Sequence, residues 1–123
     1  MKSYTDIFQS KKLAEILPLE SADMYYINSD VSKIIIRKWK DEMHDEDDLP
    51  CWSLSALINI IPQELFDGEY IINITEGCDN RWVVTYDHHE NRNHSYYGLS
   101  TGANNLVDAC TDIIIKLKER NII

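Results

Sequence analysis

Residues 68–86, GEYIINITEGCDNRWVVTY, constrain the fold of this chain more than any other stretch. Large apolar residues recur at every second position on both sides of EGCDN: Tyr70, Ile72 and Ile74 before it, Trp82, Val84 and Tyr86 after it. A period of two marks a strand with one apolar face, and Gly, Asp and Asn between two such runs are turn formers, so the segment predicts an antiparallel hairpin. Matching Tyr70 with Tyr86, Ile72 with Val84 and Ile74 with Trp82 puts all six on one face, whereas a slip of one residue would divide them between faces.

A two-stranded hairpin is marginal alone, so the rest of the chain must extend it and cover its apolar face. SYYGL, residues 95–99, predicts a third antiparallel strand, and ADMYYI, residues 22–27, another. Residues 33–39 alternate Ile35, Arg37 and Trp39 against Ile34, Ile36 and Lys38, which reads as a strand with helix as the alternative. Helices are predicted over residues 5–17, with Thr5 as N-cap, Phe8, Leu13, Ile16 and Leu17 as the apolar side and Pro18 as the stop, and over residues 50–62, opened by Pro50 and capped by Ser53. In the second helix Leu54, Leu57, Ile58 and Ile61 share a face, with Trp52 stapled ahead of it. A long final helix, capped by Asn104 or Asn105, carries acids toward its start and Lys116, Lys118 and Arg120 toward its end, as the helix dipole favours. Leu106, Cys110, Ile113 and Leu117 recur at helical spacing, which makes Cys110 a core residue. The expected class is α+β: a small antiparallel sheet of three to five strands, about three helices on one face, and a long C-terminal helix.

At 123 residues, 44% of them hydrophobic, the chain fits a single domain, 1–123, with one modest core. LINIIP is far too short to span a bilayer, and the N-terminus has no apolar run behind its first lysine, so a soluble, unprocessed protein is expected. Cys51, Cys78 and Cys110 form no C-x-x-C pair, which points away from a disulfide scaffold or zinc ribbon and toward the cytoplasm. The net charge of −9 argues against direct nucleic-acid binding. Six acids lie in DEMHDEDD, residues 41–48, which lacks the glycine and spacing of a calcium loop and reads as a solvated charged loop. An acidic DNA mimic is a second alternative, weakened because such a mimic would spread its carboxylates over a surface at phosphate-like intervals, whereas these are concentrated in one run.

YDHHENRNHSYYG, residues 86–98, is the most chemical-looking stretch. His88, His89, Glu90 and His94 are the metal-ligand candidates, with Asp87 beside them and Asp67 or Glu69 on the neighbouring strand, and a metal-dependent hydrolase or nuclease built on the 88–94 cluster is the alternative to a non-enzymatic role. Their order has no helical H-E-x-x-H spacing, and the hairpin register places Cys78 about 30 Å from His88. A polar strand connection explains the same residues without a metal or any other cofactor. GLSTG, residues 98–102, matches G-x-S-x-G between a strand and a helix, yet no histidine follows it and the chain is too short for that hydrolase architecture. Ser100 is expected instead in the turn that caps the last helix. Trp39, beside Arg37 and Lys38, fits either the core or, on an edge strand, an exposed anchor for a protein partner; edge pairing there would also make a homodimer.

The ordered set QSKKLAEI, ESADM, PCWSLSALINIIP, RWVVTY and NLVDACTDIIIKL resembles a group of small uncharacterised proteins encoded by phages and integrated mobile elements of Bacteroidetes. Its most specific parts are the Pro-x-Trp-Ser-Leu helix at 50–54 and the Asn-x-Val-Asp-Ala helix start at 105–109. The resemblance covers about three quarters of the chain; it implies a phage or prophage origin, a bacterial cytoplasm and an unassigned function, with no catalytic residues to carry over. The function expected is that of an accessory protein–protein interaction module, with Trp39, Asp45, Glu46, Asp47 and Asp48 as contact candidates. The acidic loop and the histidine stretch lie outside the matching motifs.

Overall fold

The computed structural model describes residues 2–39, 44–77, 79–91 and 94–123, so Asp41, Glu42 and Cys78 of the sequence reading lie outside the described residues. The chain divides into two compact units, residues 2–60 and 61–123. The α+β class holds: described helices accompany two antiparallel sheets, one of three strands and one of four.

In the first unit, helix α1 (Ile7–Ile16) is started by Asp6. The Asp6 carboxylate accepts the Gln9 N–H at 2.8 Å and the Gln9 side chain accepts the Asp6 N–H at 3.1 Å, a capping box. Thr5, the expected cap, is instead fully buried. Its hydroxyl lies 2.8 Å from that of Ser10 and accepts the Trp52 N–H at 3.1 Å. A second correction concerns the apolar side of α1: Leu13 and Leu17 are buried, while Phe8 is 79% exposed. Phe8 and Leu13 are five positions apart, about 140° around a helix, and cannot share its buried stripe.

Strand β1 (Met24–Tyr26) lies between β2 (Ile34–Ile35) and β3 (Leu49–Cys51). Strand 33–39 shrinks to two residues: among the described residues the pairing with β1 stops at Ile35, and Ile36, Arg37 and Lys38 are exposed. Pro50 does not open a helix; it sits opposite Tyr25 on the edge strand β3, where a missing N–H is tolerated. Helix α2 (Leu54–Ile60) follows, and Ser53 caps it as expected, its hydroxyl accepting the Ala56 N–H at 3.1 Å. Leu57 is fully buried in this helix, whereas Ile58 is 43% exposed. Asp23 holds the cap in place, accepting both the Ser53 N–H and its hydroxyl. Met24, Tyr26, Leu49 and Cys51 pack as a core with Tyr4, Ile7 and Ile34 against them. Tyr26 donates its hydroxyl to the Thr5 carbonyl at 2.7 Å, and burial pushes this phenol well above its ordinary range.

In the second unit, β4 (Glu64–Leu65), β5 (Tyr70–Glu76), β6 (Trp82–His88) and β7 (Ser95–Ala103) pair antiparallel in that order. The predicted hairpin is present, but its register is displaced by two residues: Tyr70 faces His88, Ile72 faces Tyr86, Ile74 faces Val84 and Glu76 faces Trp82. A shift of two leaves every side chain on its face, so the apolar pattern does not distinguish the two pairings. The turn does, with the Gly77 N–H on the Arg81 carbonyl at 2.6 Å and Asn80 in the left-handed region.

The third strand runs four residues past the expected SYYGL. Thr101 pairs with Val84, Gly102 with Val83 and Ala103 with Trp82. Ser100 therefore lies within β7, and GLSTG forms no turn. What holds it extended is helix α3 (Leu106–Glu119): Thr101 donates its hydroxyl to the Ala109 carbonyl at 2.9 Å and Lys116 reaches the Ser100 carbonyl at 3.1 Å. Between Thr85 and Asp87 the register of the ladder shifts, Thr85 pairing with Ser100 and Asp87 with Ser95.

Helix α3 packs on β6 and β7, burying Val107, Cys110, Ile113, Ile114 and Leu117. Cys110 is the core residue expected, and burial pushes its thiol up to about 11. The helix ends in a Schellman motif: the Asn121 and Ile122 N–H groups bond to Lys118 and Leu117, with Asn121 left-handed. At its start Asn105 accepts the Asp108 N–H at 2.9 Å. Asn105→Ala is expected to cost about 1 kcal/mol, read as a fall in the urea midpoint with unchanged slope.

Candidate functional site

The acidic run folds, over its described part, into a fixed turn. The Asp48 N–H bonds to the Asp45 carbonyl at 3.1 Å, and the Asp45 N–H returns to the Asp48 carboxylate at 3.0 Å. The other oxygen of that carboxylate accepts the Asn28 N–H at 3.0 Å, and Ser29 donates its hydroxyl to the Asp47 carbonyl at 2.8 Å. Asn28 and Ser29 are both left-handed, which turns their groups toward the acidic segment. These donors, Asn28 first, hold the Asp48 carboxyl below the usual carboxylate range.

Asp48 is thus a structural member of the turn, its side chain 8% exposed, whereas Asp45, Glu46 and Asp47 are exposed to solvent. Their negative field projects from a backbone that is already ordered.

Beneath the turn lies an aromatic stack. The Trp39 and His44 rings are nearly parallel with centroids 3.6 Å apart, and Tyr25 of β1 stands edge-on to both, 4.7 Å from His44 and 6.2 Å from Trp39. Trp39 is half-buried, its indole covered by His44. The sequence reading missed His44. The signal that points to it is its position four residues before Asp48 and five after Trp39, a histidine between an aromatic anchor and an acid.

The histidine stretch is built differently. His88 ends β6, its N–H bonded to the His94 carbonyl at 2.9 Å, and the His94 N–H bonds to Asn91, which closes the connection into β7. The Nδ1 atom of His88 accepts the Glu90 and Asn91 N–H groups at 3.2 and 3.4 Å, so the neutral ring carries its proton on Nε2. His89 Nδ1 lies 3.2 Å from the Glu69 carbonyl, a donor's position, with Nε2 3.5 Å from Glu90. Neighbouring Asp87 is buried and accepts from Asn73 at 3.0 Å and Ser95 at 2.9 Å. The adjoining cavity, about 50 Å³, has room for one or two waters. Among the described residues no three His, Cys, Asp or Glu side chains are grouped so as to hold a metal ion. His88, His89 and Glu90 are brought together at one end of the sheet, where backbone groups meet the Nδ1 atom of each ring and His89 Nε2 faces the Glu90 carboxylate.

Elsewhere in the second unit an open cleft of about 520 Å³ runs beside Leu65, Phe66, Tyr96 and Ile122, with the Arg120 guanidinium 5.7 Å over the Tyr96 ring. Among the described residues no helix is long and apolar enough to cross a membrane. Comparison with protein-family models, curated proteins and solved structures finds no match for this chain.

Proposed function

We propose that the chain is a non-enzymatic protein–protein interaction module of a phage or mobile element, acting in a bacterial cytoplasm through the acidic turn Asp45–Asp47. The observation that carries the reading is the turn's fixed backbone beneath three exposed carboxylates. Ordering a loop on binding costs free energy; a loop ordered beforehand keeps that share of the affinity. Three carboxylates on it steer a basic protein surface into register, and they repel both nucleic acid and a second copy of this −9 chain. The resemblance to phage and mobile-element proteins supports the origin. The buried thiols of Cys51 and Cys110, raised by burial, supply no nucleophile.

A photo-crosslinking residue at Glu46, expressed in a bacterial host, tests this. The expected result is one discrete crosslinked species, absent when the probe sits at Lys11 or Glu119 and lost when Asp45 and Asp47 become asparagine. Equal crosslinking from all three positions contradicts the proposal.

A further inference from the structure

The His44 side chain is 9% exposed, and both ring nitrogens face acceptors. Nε2 is bonded to the Trp39 carbonyl, which has no proton to give, so the ring must donate there. Nδ1 is buried, has no hydrogen-bond partner, and points at the Asp48 carboxylate 3.6 Å away. In the neutral ring that leaves a lone pair facing a carboxylate. In the imidazolium it places a second N–H before it, a short closure from a charge-assisted bond. The Trp39 indole and the Tyr25 ring also lie against the imidazole, and Asp45 is the next carboxylate of the turn.

We propose that His44 is a protonation latch under the acidic turn: the imidazolium bonds Trp39 and Asp48 together and holds the turn closed, and the neutral ring releases the Asp48 side. The one carboxylate it engages also receives the Asn28 and Asp45 N–H groups, so loss of the proton loosens the same contacts that order the turn. Asp48 stays ionised throughout, because those N–H groups keep its carboxyl low. The sign follows: order in the turn is present while the ring carries both protons and is lost when the Nδ1 proton leaves. As regulation of partner binding the latch rests on the reading of the turn as an interaction surface; as a property of the chain it does not.

The experiment is NMR of the whole protein without a partner. Nitrogen shifts of His44 are expected to show Nε2 protonated at every pH and Nδ1 alone losing its proton. Amide protection at Asn28 and Asp45 should fall about fivefold between pH 5.5 and 8, and stay level in His44→Gln. Asp48→Asn removes the charge and keeps an acceptor oxygen for only one of those two amides, so it should lower protection at the other and abolish the pH dependence. A neutral ring protonated on Nδ1, or protection equally pH-dependent in His44→Gln, overturns the latch. Loss of the Glu46 crosslink pattern with a working latch overturns only the binding surface.

Discussion

Trp52→Ala is expected to destabilise the first unit by about 3–5 kcal/mol, enough to consume much of the stability of a small domain. The indole is fully buried, its Nε1 donates to the Ser21 hydroxyl at 2.9 Å, and its backbone joins the start of the chain to the start of α2 through Thr5. Alanine leaves a cavity where the buried indole stood, and it strips the Ser21 hydroxyl of its donor. Urea denaturation followed by NMR should show the resonances of residues 2–60 collapsing at a much lower midpoint. Phenylalanine at the same position keeps most of the volume and should recover most of the loss. A variant within 1 kcal/mol of wild type would contradict the packing described.

The second large effect lies in the other unit. Tyr86, at the centre of β6, is fully buried, and its hydroxyl donates to the Pro62 carbonyl at 2.5 Å, tying the sheet to the segment that enters it. Burial alone pushes the phenol far above its ordinary range, so it stays neutral. Tyr86→Ala is expected to cost about 3–5 kcal/mol. Tyr86→Phe separates the terms: it keeps the ring and orphans the carbonyl, for about 1–2 kcal/mol. Equal losses in the two variants would mean that the hydrogen bond, not the ring, holds this part of the sheet.

Elements governed by local pattern were legible in the sequence. The alternation of residues 70–86 fixed which side chains share a face, and the spacing of Leu106, Cys110, Ile113 and Leu117 placed the buried side of α3. Choices made between distant segments were not. Whether Thr5 or Asp6 caps α1 depends on Trp52, 47 residues away from Thr5, claiming the threonine hydroxyl. Pro50 belongs to a strand only because β1 lies beside it, and Ser100 stays extended because α3 folds back on β7. The two-residue error in register has a different, local origin: face periodicity is blind to even shifts, and the turn between the two strands decides. For the candidate site, the exposed acids were legible by composition. The tie from Asp48 to Asn28 and the stack of His44 on Trp39 were not, because both depend on where residues 22–30 run.

The most direct measurement of the account is the affinity of the crosslinked partner, once isolated, for the wild-type chain and for the D45N/E46Q/D47N variant across a salt series. Neutralising the turn is expected to weaken binding about tenfold or more, mostly through a slower on-rate, and to flatten the salt dependence. An affinity and salt slope that do not change between the two proteins would contradict it.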